Sequence, residues 1–405
     1  MIRQCLLRNI RSFLSVFAVV FALIFSVGMI ALQLSACKND VKMPVTPTGD
    51  STMPDSGTIN GVSESIPVTT AGVSSLPSVA PSELERFEAY VTGPFDTVTK
   101  MIILAVDQNE FEDSRFFVEQ ELWRYHRLFD IYDDYPGMTN IKTINDRAGS
   151  AVACPEEILD LIAFGIECEE RSHGRVNIAM GSILSLWHEA RTHSNANPSQ
   201  AFIPDQQALE DAAAHISIDD VKIDREKGTV TLLDPKMSLD VGAIAKGYTV
   251  EKIARALTDR GFRAGALDAG GNVRVIGHNL IKNTPWRIGI NNPIENANHS
   301  IIEIVEVADR SVVTSGNDQR FFVYAGKRYS HIIDPATYQP AEYHDSVSII
   351  TEDSGLADML STTLMMMTEI DGRTLLSSFP GCEALWVHGS EMTMTEGFER
   401  YVAGR

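Results

Sequence analysis

Four short clusters of polar residues and glycines are the parts of this 405-residue sequence best suited to chemistry. In the first, residues 239–248 read LDVGAIAKGY and lie at a predicted strand-to-helix junction. Backbone N–H groups at the start of a helix, together with the charge of Lys246, can hold a phosphate. The alternative is a glycine turn that starts an ordinary helix beside a solvated lysine.

The second cluster, residues 268–272, reads DAGGN and follows a short apolar segment. Gly270 and Gly271 permit positive φ angles and a close approach of the backbone to a ligand. A plain β-turn explains the same residues. The cluster therefore indicates a turn that could also line a binding site.

The third cluster begins with Thr314 and Ser315 in a TSG sequence and continues through Arg320 to SHIIDP at residues 330–335. Histidine titrates near neutral pH, so His331 with a nearby aspartate can supply a general base or a polar clamp. A hydrogen-bonded structural histidine is equally consistent with the pattern.

The fourth cluster reads ADMLST at residues 357–362, inside a predicted helix. Asp358 and Thr362 are four residues apart, so their side-chain oxygens lie on one helix face. Hard oxygen ligands suit Mg²⁺, which usually keeps waters and substrate phosphates in its other positions. An exposed acid beside a threonine that bonds back to the helix is the alternative.

The elements that must position these clusters alternate between helices and strands, which indicates an α+β fold. A short β-branched run predicts a buried strand at residues 98–106. Apolar periodicity and end signals predict helices at residues 110–129, from 155 to before Gly174, at 243–260 and at 356–368. Further strands are predicted at residues 221–223, 229–233, 263–267, 273–277 and 286–290.

The composition excludes several classes of protein. Hydrophobic residues make up 44% and charged residues 22% of the chain, as in ordinary globular proteins. Lys and Arg number 34 against 54 Asp and Glu, a balance that argues against nucleic acid as a partner. The HExxH, GxSxG, GxGxxG and P-loop signatures are absent from the sequence.

The N-terminal residues 1–36 resemble a bacterial lipoprotein signal peptide. Three arginines precede an uncharged stretch over residues 12–34, and LSAC at residues 34–37 resembles a lipobox. A transmembrane anchor is the alternative. We expect lipidation at Cys37, a disordered Ser/Thr/Pro stalk over residues 37–82, and a folded domain over residues 83–405. The protein would then be anchored by lipid to the cell membrane on its extracytoplasmic side.

Taken in order over residues 90–370, the four clusters resemble the ApbE family, the FAD:protein FMN transferases. The resemblance implies an α+β, two-lobed fold with mixed sheets and packed helices, and FAD in the cleft between the lobes. It implies Mg²⁺-dependent transfer of FMN from FAD to a Thr or Ser hydroxyl of an extracytoplasmic acceptor protein, with release of AMP. The acceptors would be proteins of membrane redox complexes. An FAD pyrophosphatase and a non-catalytic FAD-binding lipoprotein are the alternatives.

The resemblance also implies roles for individual residues. The metal would be bound by the Ala243 carbonyl and by the side chains of Asp358 and Thr362. His331 and Asp334 would be catalytic, and His331 is our candidate for the general base. FAD contacts would come from both sides of the cleft, from Thr97, Asn145, Ala179, Met180, Asp240, Lys246, Gly270, Gly271, Thr314, Ser315 and Ile332.

The sequence departs from the family pattern at four places. Residues 95–97 read FDT instead of Met-Gly-Thr, and residues 174–177 read GRVN instead of Gly-x-Phe-Asp. After HIIDP, residues 336–338 read ATY where arginine-threonine-glycine is common. Ser361 stands where some relatives carry an acid. None of these changes removes a proposed metal ligand, so we expect activity.

Overall fold

An antiparallel sheet of eight strands organises the computed structural model, which describes residues 80–294 and 299–404. The strand order in this sheet is β1-β2-β6-β7-β10-β15-β16-β17. The strands are β1 Glu85–Thr92, β2 Val98–Ala105, β3 Ala151–Ala153, β4 Val221–Asp224, β5 Thr229–Leu232, β6 Ala264–Ala269, β7 Asn272–Ile276, β8 Trp286–Asn291, β9 Ile301–Val307, β10 Ser311–Gly316, β11 Phe321–Tyr324, β12 Lys327–Ser330, β13 Ile333–Asp334, β14 Gln339–Pro340, β15 Ser346–Thr351, β16 Glu383–His388 and β17 Glu391–Met394.

The remaining strands form one three-stranded sheet, β3-β5-β4, and three two-stranded pairs, β8-β9, β11-β12 and β13-β14. The α-helices of the described chain are α1 Gln108–Phe129, α2 Ile141–Asp146, α3 Glu156–Arg171, α4 Gly181–Ala196, α5 Gln206–Ala213, α6 Ala245–Asp259, α7 Ser354–Met365, α8 Glu369–Leu376 and α9 Glu396–Glu399. In the part of the chain that the structure describes, no helix combines the length and apolar character needed to cross a membrane. The predicted signal peptide, Cys37 and residues 38–79 of the predicted stalk lie outside the described residues.

The main sheet has a different hydrophobic cluster on each face. Side chains alternate between the two faces of a strand, and in β10 this alternation sends Val313 into the cluster that contains α6 and α7. Its neighbour Val312 joins a second cluster with residues of β8 and β9. The same alternation turns Ser315 toward the helices and Thr314 toward the opposite face. A third, smaller cluster joins α4 and α5 to β11 and β13.

Helices α6 and α7 pack closely because residue 247 is a glycine. A Cβ atom at Gly247 would lie 2.3 Å from the Ser354 carbonyl oxygen and 2.5 Å from Cβ of Asp358. The Gly247 N–H donates a hydrogen bond to Oδ2 of Asp358, with a distance of 2.8 Å. The two helices that carry the first and fourth clusters are therefore in direct backbone contact at this point.

A buried carboxylate one turn further along α6 also holds this helix pair together. Glu251 in α6 accepts hydrogen bonds from Nε of Arg255 at 2.8 Å, from Nε of Arg274 at 3.1 Å and from the Ser354 N–H at 2.9 Å. Glu251 is buried, and a buried charge is stable only when it is paired and hydrogen-bonded. This network fixes the start of α7 against α6 and β7.

The predicted elements are confirmed, with small shifts at their ends. The helix expected at residues 243–260 begins at Ala245, because Asp240 accepts the Gly242 N–H and holds the preceding residues in a turn. The helix expected at residues 356–368 begins earlier, at Ser354, where Asp353 accepts the Leu356 N–H as the N-cap. Helices α2, α4, α5, α8 and α9 were not predicted.

We expect the substitution Gly247→Ala to destabilise the fold by about 1–3 kcal/mol, since the added methyl must displace backbone atoms. Chemical denaturation monitored by circular dichroism measures the change. Gly372→Ala in α8 is the matched control, because the nearest atom to its new methyl is the end of the Leu364 side chain at 3.1 Å. The control should change stability by less than about 1 kcal/mol. Equal stability of Gly247→Ala and the unmodified chain would contradict the prediction.

Candidate functional site

The segment that carries Asp240 is held by backbone pairing with the segment before α4. The Asp240 N–H donates to the Ile178 carbonyl at 2.8 Å, and the Gly181 N–H donates to the Ser238 carbonyl at 3.0 Å. Ala179 and Met180 are 0% and 3% exposed. These two residues, predicted to contact FAD, are therefore buried beside the Asp240 segment.

Asn145 completes this arrangement from α2. Its Oδ1 accepts the Leu239 N–H at 2.7 Å, and its Nδ2 donates to the Leu239 carbonyl at 2.9 Å. The amide thus pairs with the backbone as a neighbouring strand would. The side chain predicted to contact FAD instead fixes the position of the residue next to Asp240.

Asp240 lies among cationic groups. Burial raises the pKa of its carboxyl, whereas the hydrogen bond from the Gly242 N–H and the charges of His188, Arg191 and Arg320 lower that pKa. The bond to Gly242 N–H measures 2.8 Å. Asp240 is therefore a partly desolvated acid that faces two arginines.

The start of α6 presents an unbonded carbonyl beside a buried acid. Gly247 is the third residue of α6, so its N–H has no acceptor within the helix and donates to Oδ2 of Asp358. No N–H group of the described residues hydrogen-bonds the Ala243 carbonyl. Burial raises the pKa of Asp358, which is 4% exposed, while the charge of Lys246 and the Gly247 N–H lower it.

The hydroxyl groups of α7 face Ser315 of β10. Ser315 Oγ lies 2.8 Å from Ser361 Oγ and 3.4 Å from Thr362 Oγ1. Ser361, which stands where some relatives carry an acid, is thus part of a neutral hydroxyl cluster. Thr314 points to the other face of the sheet, where its Oγ1 lies 2.8 Å from Ser348 Oγ.

The oxygen atoms brought together here fit magnesium. They comprise the Asp358 carboxylate, the Thr362 hydroxyl and the Ala243 carbonyl, and oxygen ligands with a single carboxylate suit a Mg²⁺ ion that also binds substrate phosphate. Residues 80–294 and 299–404 contain no group of three or more His, Cys, Asp or Glu side chains arranged to hold a metal. The donor set therefore favours a hard cation shared with a phosphate rather than a transition metal.

The hairpin between β6 and β7 brings the second cluster to the same region. Gly270 and Gly271 have φ angles of 60° and 88°, as a two-residue hairpin turn requires. The Thr314 N–H donates to the Gly271 carbonyl at 3.1 Å. A Cβ atom at Gly270 would lie 2.2 Å from Oγ1 of Thr97, so this glycine allows the hairpin to contact the turn at residues 93–97.

That turn has a left-handed backbone at two residues that are not glycine. Phe95 and Asp96 have φ angles of 56° and 52°, and Asp96 stands where the family has glycine. The Phe95 N–H donates to Nδ1 of His126 at 3.3 Å, and Nη2 of Arg320 donates to the Phe95 carbonyl at 3.1 Å. These bonds hold a backbone conformation that side chains disfavour.

The backbone of Arg320 also fixes the orientation of His331. The Arg320 carbonyl oxygen accepts a hydrogen bond from the His331 N–H at 3.0 Å, and Nδ1 of the His331 ring lies 3.1 Å from the same oxygen. A carbonyl oxygen can only accept, so Nδ1 carries the proton and Nε2 of the neutral ring is an acceptor. The ring reaches solvent. Desolvation by the surrounding groups, and then the charges of Arg320, Arg191 and Lys246, lower the pKa of His331 below its ordinary value of 6.5.

Asp334 does not face the open part of the site. Its side chain is 5% exposed and lies 2.7 Å from Nη1 of Arg175, and Oδ1 also accepts the Ala336 N–H at 2.9 Å. Ile332, predicted to contact FAD, is buried, and its carbonyl accepts the Ala341 N–H at 2.8 Å. This geometry favours a positioning role for Asp334 over the catalytic role expected from the sequence.

Three residues near Asp240 were missed by the sequence analysis. Tyr132 is 54% exposed, and its ring lies 4.9 Å from the ring of His188. The Tyr132 hydroxyl lies 3.2 Å from Nδ1 of His188, and Nη2 of Arg191 lies 3.0 Å from the same atom. An aromatic residue in the acidic stretch 130–134 was a signal for this cluster, but α4, which carries the other two residues, has no motif.

Comparison with known proteins assigns the family. The family model described as "ApbE family" matches residues 95–386, well over half of the chain. A protein of Treponema pallidum named FAD:protein FMN transferase is 34% identical over 261 residues, which cover 61% of this chain and 70% of that protein. A Klebsiella pneumoniae protein of the same name is 30% identical over 251 residues, covering 62% of this chain and 75% of that protein.

A solved structure agrees with this assignment. The ApbE protein of Thermotoga maritima is similar with a TM-score of 0.69 and 28% identity, covering 78% of this chain and 99% of that one. The α+β fold expected from the resemblance is therefore confirmed. Together, the matched residues, the relatives and the shared fold show that this chain belongs to the ApbE family.

Proposed function

We propose that this chain transfers the FMN half of FAD to a Thr or Ser hydroxyl of an acceptor protein and releases AMP. Membership of the ApbE family and the names of the relatives support flavin transfer. The observation that carries the proposal is the contact of α6 with α7, where the Gly247 N–H next to Lys246 donates to the Asp358 carboxylate at 2.8 Å, together with the orientation of His331, whose Nδ1 lies 3.1 Å from the Arg320 carbonyl. A buried acid, a cation and a neutral imidazole are the groups that phosphoryl transfer from a pyrophosphate requires.

Asp358, Thr362 and the Ala243 carbonyl would hold Mg²⁺ in this proposal. A bound Mg²⁺ would stabilise the negative charge that develops on the pyrophosphate oxygens. Asp358 must be ionised to serve as a ligand; burial raises its pKa, the charge of Lys246 and the Gly247 N–H oppose that rise, and a bound cation would favour the ionised form further. Lys246 would also contact the pyrophosphate directly, because it lies at the positive end of the α6 dipole.

His331 would act as the general base. Its Nδ1 proton is held by the Arg320 carbonyl, so Nε2 is free to accept the proton of the acceptor hydroxyl. The hydroxyl oxygen would bond to the phosphorus of the FMN half while the bond from that phosphorus to the AMP oxygen breaks. The acceptor's proton would go to Nε2, and AMP would leave with the electron pair of the broken bond.

The remaining contacts would bind and orient FAD. The backbone at residues 179–180, the Gly270-Gly271 turn and Thr97 would line the cleft, and Asp240 would accept hydrogen bonds from the ligand. Tyr132 offers an exposed aromatic face on which an isoalloxazine ring could stack. Arg191 and Arg320 would add positive charge on this side of the site.

The cellular setting is proposed from the sequence. Residues 1–37 support a lipid-anchored protein on the extracytoplasmic side of the cell membrane, and the acceptors would be proteins of membrane redox complexes. The strongly acidic composition supports a protein partner rather than a nucleic acid.

The direct test incubates the full chain, purified in detergent, with FAD, Mg²⁺ and an acceptor protein that the Treponema pallidum relative labels in a parallel reaction. We expect the acceptor to gain one FMN by mass spectrometry, with AMP released, and chelation to abolish the gain. Free FMN and AMP without labelling would indicate the pyrophosphatase instead. Bound, unchanged FAD would contradict both enzymatic activities.

The substitution Asp358→Asn should lower the transfer rate by at least about 100-fold, since a neutral amide is a poor ligand for Mg²⁺. Asp113→Asn, an exposed position in α1, removes the same charge far from the site and is the matched control. The control should retain the full rate. A fully active Asp358→Asn variant would exclude the proposed metal site.

The pH dependence of transfer tests the role of His331. Neighbouring cations lower its pKa, so the base is neutral at pH 7, and kcat/KM should fall only at pH values well below 6.5. Arg320→Ala removes one of these cations, so the pKa of His331 should rise and the acid limb should move to higher pH.

His331→Ala should lower the rate by about 100-fold to 10,000-fold. A folded His331→Ala variant with the full rate at every pH would exclude this role.

A further inference from the structure

The Asp334 carboxylate needs a cation because it is buried. Its side chain is 5% exposed, and Nη1 of Arg175 donates to Oδ1 at 2.7 Å. The Ala336 N–H provides a second hydrogen bond to the same oxygen. Removing one partner of a buried ion pair leaves an uncompensated charge, which is far more costly than losing a surface pair.

The two residues of this pair are distant in sequence and belong to different parts of the site. Arg175 lies in the loop between α3 and α4, 159 residues before Asp334. In that loop His173 and Gly174 have φ angles of 53° and 80°, and the chain then enters the buried residues Ala179 and Met180. The ion pair therefore links the segment beside Asp240 to the segment that carries His331.

We infer that Arg175 is a positioning residue for His331, because from the α3–α4 loop it supplies the positive charge that holds the buried Asp334 carboxylate, three residues from His331. This inference rests on the proposed function, in which His331 is the base.

The local hydrogen bonds explain how Arg175 would act on His331. The Asp334 carbonyl accepts the Tyr338 N–H at 2.7 Å, and the Ile332 carbonyl accepts the Ala341 N–H at 2.8 Å, so residues 331–341 form a compact loop. Asp334 is the acid that anchors this loop to Arg175, three residues from His331. Displacing the anchor moves the ring without removing any proposed metal ligand.

Arg175→Ala, measured in the full chain, should lower the single-turnover rate of FMN transfer by about 10-fold to 100-fold, as displacement of a reacting group by about 1 Å does. The dissociation constant of FAD, measured by flavin fluorescence, should change by less than about threefold. In a His331→Ala background, Arg175→Ala should cause no further loss of rate. Arg175→Lys, which keeps a positive charge at the position, should retain more of the transfer rate than Arg175→Ala. This variant replaces Arg175→Ala as the test if the alanine variant does not fold.

Arg171→Ala is the matched control, since within the described residues Arg171 at the end of α3 makes a surface pair with Glu167 and a ring contact with Phe379. This control should keep the full rate. Thermal unfolding of every variant separates a shifted base from a partly unfolded chain.

Two results would overturn the inference: an Arg175→Ala rate within twofold of the unmodified chain, or an equal loss in the His331→Ala background. Failure of the proposed function looks different, because the unmodified chain itself would then not label the acceptor. If that chain instead releases free FMN, the same comparisons apply to the rate of FMN release.

Discussion

The contact between Gly247 and Asp358 is the constraint on which the rest of the site depends. One N–H group in the first turn of α6, which has no acceptor in its own helix, donates to a buried carboxylate of α7. Just before that turn the Ala243 carbonyl has no donor among the described residues, and the charge of Lys246, next to Gly247, offsets part of the rise in pKa that burial causes in the acid. A side chain at position 247 would separate the two helices. The lack of a Cβ atom at Gly247 therefore allows Asp358 to lie close to the segment that carries the Ala243 carbonyl and Lys246.

Three buried or desolvated acids in this region are stabilised in different ways, and the difference separates their roles. Asp358 has one backbone N–H and a nearby lysine, which leaves part of its oxygen surface for a cation. Asp240 has the Gly242 N–H and faces cations that form no ion pair with it. Asp334 differs in having an ion pair with Arg175, and the same oxygen accepts a backbone N–H. An acid without such an ion pair can bind a cationic ligand, whereas an acid paired with an arginine of the chain holds the structure.

The sequence allowed the four clusters, most strands and the principal helices to be predicted, because these depend on local periodicity and end signals. It did not predict which cluster residues would face away from the site. Thr314 and Ser315 are adjacent, yet strand alternation sends them to opposite faces of the sheet. Helix α4 was missed because its buried positions form a weak apolar stripe, and with it were missed His188 and Arg191. The pairing of Arg175 with Asp334 arises only from tertiary contact, which no local pattern encodes.

The bonds that build the site join residues far apart along the chain: 94 residues separate Asn145 from Leu239, 111 separate Gly247 from Asp358, and 159 separate Arg175 from Asp334. Contacts of such long sequence separation form late in folding, because each must first overcome the entropy of closing a long loop. A chain that ends before α7 has no complete site to offer a flavin. A ligand bound there would stabilise only the finished fold, by a free energy that grows with the logarithm of its concentration. Flavin would then select complete molecules from partly folded ones.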